Sequence, residues 1–476
     1  MKTTALMFIF LSVIYCNGYC QIINVPDDQP TIQAAINAAD NGDTVLVKGG
    51  TYYETIDFSG KDITVGSYFI NSGDTSAINQ TIIDADSLGP AVVFQANETQ
   101  AARLIGFTLT HGSGELVDGL KYGGAIFCSG ASPTLDYLYI TENEAVGLGS
   151  GCGGGAFFVN SQAILKNSIV MNNNAYYGGG IRCNLSSITV ENTVIKDNFS
   201  ISGGGIMFRE CPSSFISKCI FTGNQAIYGG AICCSISSPV INKTTCFKNS
   251  GLYGGSLNIG VDSDPRLINS ICWNNSMHSG TVCEIYLAEG GNSILAAYND
   301  IQGGQDSIDD EAYGMVYWLE GNINVYPEFT DSFNADVHLN PNSPCINSGT
   351  AIFINGTDTL SNIQDYYGTA PDMGAYEFQE PNGIYPLPAE SLGNSVIVIK
   401  DTQTGENSII LTVTNAELLD ISVLDMLGRT VEVITHRVYG PGVYALEIPA
   451  TKLRKGAYLL RLSSLRVSQA VKIFSF

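Results

Sequence analysis

Few side chains in this sequence are spaced to do chemistry together. Its repeat region holds Asp136, Glu142, Lys166, Arg182, Lys196, Asp197, Arg209 and Glu210, groups of the kind that take a proton, hold calcium or steady a developing anion on a sugar acid. A lyase working beside a uronate carboxyl needs a base with cations on neighbouring outward positions. Arg182 is the single basic residue in an outward column that otherwise reads Phe127, Phe157, Met207 and Cys233, so it is the candidate catalytic base, although no paired carboxylates share its column. A hydrolase needs two or three carboxylates about one repeat apart, and Asp136 and Asp197 fall in different columns. A further column, Tyr122, Tyr177, Tyr228 and Tyr253, is broken by Cys152 and Ser202. Its rings would either offer flat faces and rim hydroxyls to sugar or stack on one another and stiffen a turn. The acidic run at residues 306–314 is the candidate calcium loop, with an ordinary solvated loop as the alternative. The four histidines, His111, His278, His338 and His436, are far apart and no C-x-x-C pair occurs, so the expectation is no resident metal or cofactor beyond calcium.

The elements that must position these columns are set by a repeat. Glycine clusters begin at Gly123, Gly153, Gly178, Gly203, Gly229 and Gly254, a period of about 25 residues that signals a solenoid. Five residues before the later clusters stand Asn173, Asn198, Asn224 and Asn249, and Asn143 joins them once an insertion at residues 148–152 is discounted. Ile126, Ala156, Ile181, Ile206, Ile232 and Leu257 form an apolar column in the same frame, and Leu135, Leu165, Val190, Ile216 and Ile241 form another. Short β-branched runs between Gly, Asn and Ser turns read as strands, three per repeat. Stacking identical columns one strand spacing apart gives a parallel β-helix of about ten coils and roughly 50 Å. The asparagines then form an inward ladder of amides, a structural role. Cys246 and Cys272 fall at similar inward positions of adjacent coils, near enough for a disulfide but read as buried thiols, and Cys128, Cys183 and Cys234 read as core filler.

Composition excludes several classes. There are 22 Lys+Arg against 45 Asp+Glu, a net charge of -23, so nucleic acid is not an expected partner. Charged residues make up 14%, hydrophobic residues 45%, and there are 52 glycines, which argues against both disorder and a mainly helical chain. Residues 1–20 read as a secretory signal peptide, with a lipoprotein reading of Cys16 as the lesser alternative, and no later run is long enough to span a bilayer. Of 13 cysteines, Cys16 and Cys20 lie in that leader; the odd eleven that remain do not resemble a disulfide framework.

The repeat "NxAxxGGAI" and the opening "TIQAAINAADNGDTVLVKGGTYYETIDFSGKDITV" resemble the right-handed parallel β-helix proteins of the pectate lyase superfamily. The resemblance implies an N-terminal cap, with residues 31–39 as a short amphipathic helix and residues 43–48 as the first strand. The segments "HLNPNSPCINSGT" and "DYYGTAPDMGAYEF" resemble the closing part of secreted β-helix proteins, so the solenoid is expected over residues 21–378. Pro381, Gly383, Pro386 and Pro388 mark a linker at 379–394. Residues 395–476 then alternate as in a small β-sandwich, with strands expected at 408–414, 419–425, 442–448 and 456–462. There "ISVLDMLGRTVE", "LRKGAYLLRL" and "AVKIF" resemble the type A C-terminal sorting domain of the type IX secretion system, although the chain ends in Phe-Ser-Phe instead of the family's usual basic residues. The fold class expected is all-β, a right-handed parallel β-helix solenoid followed by a small C-terminal β-sandwich. The expected function is that of a secreted or outer-surface protein that binds polysaccharide or serves as an adhesin, with the type IX machinery as a partner. The alternative is a polysaccharide lyase or glycoside hydrolase.

Overall fold

The computed structural model describes residues 20–147, 150–276, 283–288, 290–310 and 314–378, and beyond them the strands 395–400, 407–413, 417–424, 430–439, 442–447, 456–463 and 468–475. All of the expected leader except Cys20, and the whole expected linker, lie outside these residues. The chain divides into two compact units, 1–378 and 379–476.

The first unit winds through three parallel sheets. Among the described residues the first sheet has 12 strands, from Ile22–Val25 to Met315–Trp318; the second has 10, from Gly50–Tyr53 to Asp300–Ile301; the third has 10, from Ile56–Asp57 to Ile308–Asp309. Each strand pairs with its counterpart one coil on, so Leu135, Leu165, Val190, Ile216 and Ile241 stand in one register and Ile126, Ala156, Ile181, Ile206, Ile232 and Leu257 in another. This is a parallel β-helix, right-handed as parallel crossovers are. Both columns are 0–1% exposed and belong to one continuous core.

Strands of three or four residues must turn sharply. Glu142, Asn172, Asp197, Gly223, Lys248 and Asn274, each one residue before an inward asparagine, hold φ between 53 and 67°. Asparagine and aspartate tolerate that left-handed region better than most side chains, and where the column carries Glu or Lys the stacked coils impose it. Gly154 shows why the glycine clusters admit nothing larger: a Cβ there would lie 2.4 Å from the Gly179 carbonyl oxygen of the next coil.

The N-terminal cap differs from expectation in order. A helix spans Ile32–Ala38; Thr31 caps it by accepting from the Ala34 N–H, and Glu54 accepts from the N–H groups of Ile32 and Gln33. Ile32, Ala35 and Ile36 face the core. The first strand is not 43–48, however, because Ile22–Val25 precedes it and pairs in parallel with Thr44–Val47. The tetrapeptide Ile-Ile-Asn-Val, just after the expected leader, is too short to show a periodicity that would mark it as a strand.

The segment resembling a closing element lies along the side of the solenoid. Phe329, Val337, Leu339, Cys345, Met373 and Ala375 pack with Ile220, Phe247 and Ile271 of the second sheet. Lys243, whose side chain is 1% exposed, donates to the Asp372 carbonyl oxygen and pairs with Glu377. Burial lowers the Lys243 pKa, Glu377 works against that shift, and burial raises the Asp372 carboxyl to about 6.

The second unit contains two antiparallel sheets, as a sandwich requires. One orders its strands 395–400, 407–413, 442–447, and the other 430–439, 417–424, 456–463, 468–475. Ile421, Val423, Leu424 and Tyr458 are buried. The sequence expectation omitted the strands at 395–400, 430–439 and 468–475.

Candidate functional site

Two features run the length of the repeats: an internal row of amides and an external ledge of aromatic rings. In the first, Asn143 Nδ2 donates to Asn173 Oδ1 at 3.0 Å, and the same bond links Asn173 to Asn198, Asn198 to Asn224 and Asn224 to Asn249 at 2.9–3.1 Å. Each of these asparagines also donates its backbone N–H to the next amide oxygen. Two residues absent from the sequence expectation complete the row. Asn249 donates to Asn275 at 2.9 Å, and Asn275 Nδ2 donates to Glu284 Oε2 at 2.8 Å. Glu284 is fully buried; it also accepts from the Asn275 N–H at 3.1 Å and the Ser256 hydroxyl at 3.0 Å. A row of amides that all donate in one direction needs a final acceptor, and a carboxylate supplies one. Burial pushes its pKa up to about 7 although Asn275 and Ser256 work against the shift. The row serves the fold and leaves no group free for chemistry.

The external feature begins with the outward column of the third sheet. Phe127, Phe157, Arg182, Met207, Cys233, Asn258 and Tyr286 stand in register, yet all are 4–9% exposed. The expected solvent-facing Arg182 is therefore buried. The reason is the tyrosine column, which the turns carry over this face: Tyr122, Cys152, Tyr177, Ser202, Tyr228 and Tyr253 bridge in parallel from coil to coil. The Tyr122 ring lies 4.9 Å from Phe157, and Tyr253 lies 5.0 Å from Tyr286. Tyr228 and Tyr253 stack on each other at 5.1 Å and 10°, so part of the column is occupied by its own rings. Outward from these contacts, Tyr177, Phe199, Ile227, Tyr228 and Leu252 are 37–56% exposed and form an apolar stripe across successive coils.

Beside the stripe opens a groove of about 300 Å³, lined by Tyr122, Cys152, Tyr177, Arg182, Arg209 and Glu210 among others. The structure thus brings Arg182 together with Tyr122 and Tyr177, and leaves Tyr228 and Tyr253 further along the ledge. The Arg182 guanidinium lies 5.6 Å from the Tyr177 ring centroid, and one of its terminal nitrogens contacts the Met207 sulfur. Its Nε has no hydrogen-bond partner. Glu210 is the one carboxylate lining the groove, and it pairs with Arg209 at 3.3 Å.

Elsewhere, His111 sits 2.9 Å from Asp84 and 3.5 Å from Glu142. The hydrogen bond to Asp84 holds its pKa above the ordinary value, and the charges of Glu142 and Asp86 add to this. Three different coils contribute these residues, which is why no sequence motif announced them. Cys246 and Cys272 are register partners with free, fully buried thiols, and Cys128, Cys183 and Cys234 are buried in the core. Among the described residues no three His, Cys, Asp or Glu side chains group to hold a metal. Residues 311–313 of the acidic run lie outside the description, while residues 308–309 form a strand beside residues 285–286.

No protein-family model and no curated protein matches the sequence. Among solved structures, the chain is similar to the pectate lyase Pel9A, with 16% identity over 76% of this chain and 97% of that one and a TM-score of 0.40. A pectin methylesterase variant in complex with a hexasaccharide gives 10% identity over 62% and 80% with a TM-score of 0.27. The tailspike protein gp49 of Acinetobacter baumannii bacteriophage Fri1, a capsular polysaccharide depolymerase, gives 11% over 96% and 78% with a TM-score of 0.27. These likenesses concern the course of the backbone, and the reading of the site rests on its own residues.

Proposed function

We propose that this protein is an exported rod that binds extended polysaccharide along the aromatic ledge and its adjoining groove. The observation that carries the reading is the exposed apolar surface to which Tyr177, Phe199, Ile227, Tyr228 and Leu252 contribute from neighbouring columns of successive coils, the coils themselves lying roughly 4.8 Å apart. That spacing is close to the length of a sugar residue, and aromatic faces favour the apolar faces of pyranose rings. A glycoside hydrolase would need a pair of carboxylates in the groove, whereas Glu210 is the one carboxylate among its described lining residues. The test is a panel of plant, algal and microbial polysaccharides, with and without calcium, scored for retention, for unsaturated uronates and for new reducing ends. Retention without products supports a binding rod; products would move the assignment to a lyase or hydrolase, and neither would leave an adhesin or spacer.

The second unit is read as a sorting domain for the type IX machinery that delivers the rod to the cell surface or medium. Its two antiparallel sheets suit that role. Intact-mass analysis of the exported protein should show the region after about residue 390 removed; a full-length C-terminus would contradict the reading.

A further inference from the structure

Arg182 is out of place by the rules that govern the rest of the chain. It is 5% exposed, its Nε has no hydrogen-bond partner, and among the described residues it forms no ion pair. Its column neighbours are Phe157 and Met207. A thioether is a weak acceptor for a guanidinium hydrogen, and the Tyr177 face offers only part of what water would. A buried charge without a partner is costly. A chain with 45 acidic residues against 22 basic ones nevertheless pairs none with Arg182 among the described residues, and Glu210, the one carboxylate among the described lining residues, contacts Arg209.

From this we infer that the groove is an oxyanion site in which Arg182 receives a carboxylate or sulfate ester carried on the polysaccharide chain. The inference rests on the proposed ledge and adds the class of glycan, an acidic one. Arg182 supplies charge and fixed planar donors, Arg209 adds a second cation at the same groove, and Tyr122 and Tyr177 wall the sugar that bears the anion. The net negative surface works against a polyanion at long range, so recognition depends on this one enclosed cation and weakens less with salt than binding to an exposed basic patch would. The assignment replaces the role of catalytic base suggested by sequence, since a guanidinium offers donors and no acceptor.

The test uses the full chain and the variants Arg182→Met and Arg182→Lys. Methionine has about the right length and continues the apolar column, so Arg182→Met should fold with an unchanged or higher melting temperature, which is verified first. Wild type should bind polygalacturonate or a sulfated galactan at least tenfold more tightly than a neutral galactan, and which polyanion is preferred tells carboxylate from sulfate ester. Arg182→Met should lose that preference, and Arg182→Lys should recover part of it. A second readout is independent of glycan: sodium sulfate should raise the wild-type melting temperature above sodium chloride of equal ionic strength by more than it raises that of Arg182→Met. If wild type and Arg182→Met respond alike to sulfate and show the same preference among glycans, the oxyanion site is wrong. If no glycan is retained but the sulfate difference persists, the ledge reading fails and the anion site stands.

Discussion

Replacing Glu284 by Gln should remove part of the stability lost between acid and neutral pH, the part that its own raised pKa contributes. The carboxyl moves from the ordinary 4.5 to about 7 because it is buried, with the nearby Asp300 charge adding to the shift. Between those two values the folded chain keeps a proton that the unfolded chain has released. Stability is therefore full below about pH 4.5 and falls as pH rises through 7. At roughly 1.4 kcal/mol for each pKa unit, the change is about 3 kcal/mol between pH 4 and pH 8. Glutamine matches the uncharged acid in charge but not in every bond: Asn275 donates to both carboxyl oxygens, so the new amide NH2 meets one Asn275 donor, a cost that does not vary with pH. Melting temperatures of wild type and Glu284→Gln measured from pH 4 to pH 8.5 should differ by an offset that moves in the variant's favour by a few degrees between about pH 4.5 and pH 7 and is constant outside that window. Asp300, also raised to about 7 by burial, titrates in both proteins, and the difference between them includes its repulsion of the Glu284 charge, which the variant lacks. Parallel profiles would show that Glu284 does not titrate in this window and would refute the account of how the amide row ends.

Asn198→Ala removes an acceptor from Asn173 and donors from Val170 and Asn224, and should cost about 3–5 kcal/mol, whereas Ser200→Ala nearby removes a buried hydroxyl that has no partner and should be neutral or slightly stabilising; urea melts of both compare them. Gly179→Ala would place a Cβ 2.5 Å from the Phe199 carbonyl oxygen, while Gly89 has nothing within 4 Å, so the first should collapse soluble yield and the second leave it unchanged. Lys243→Ala strands Glu377 beneath the lateral segment and should cost about 3–5 kcal/mol, seen as faster proteolysis within residues 329–378, with Lys243→Met/Glu377→Leu recovering part of the loss.

The solenoid was legible because its repeat puts the same residue types in the same columns, and parallel pairing turns columns into contacts. Asn143 to Asn249 could be placed from spacing alone. Asn275 stands 26 residues after Asn249, as Asn224 does after Asn198, and was missed because no glycine cluster follows it; Glu284 is not an asparagine, and the need of the last amide for an acceptor was its available signal. Arg182 was placed in the right column and given the wrong surroundings. Strand alternation assigns a side chain to the outer face of a sheet, but it does not show that a neighbouring turn folds its tyrosines over that face. The lateral course of residues 329–378 was equally hidden, because its partners, Lys243 and Ile271, lie many coils away in sequence.

The most direct test of the central claim is the affinity of the full chain for the best-retained polysaccharide beside that of Tyr177→Ala/Tyr228→Ala. Each ring contributes about 0.5–1.5 kcal/mol of stacking, so the account predicts about tenfold weaker binding or more; Tyr177 also covers Arg182 and Tyr228 stacks on Tyr253, so the melting temperature should fall, and affinities are compared well below the lower of the two melting temperatures. Equal affinity in the folded double variant would contradict a ligand on the ledge.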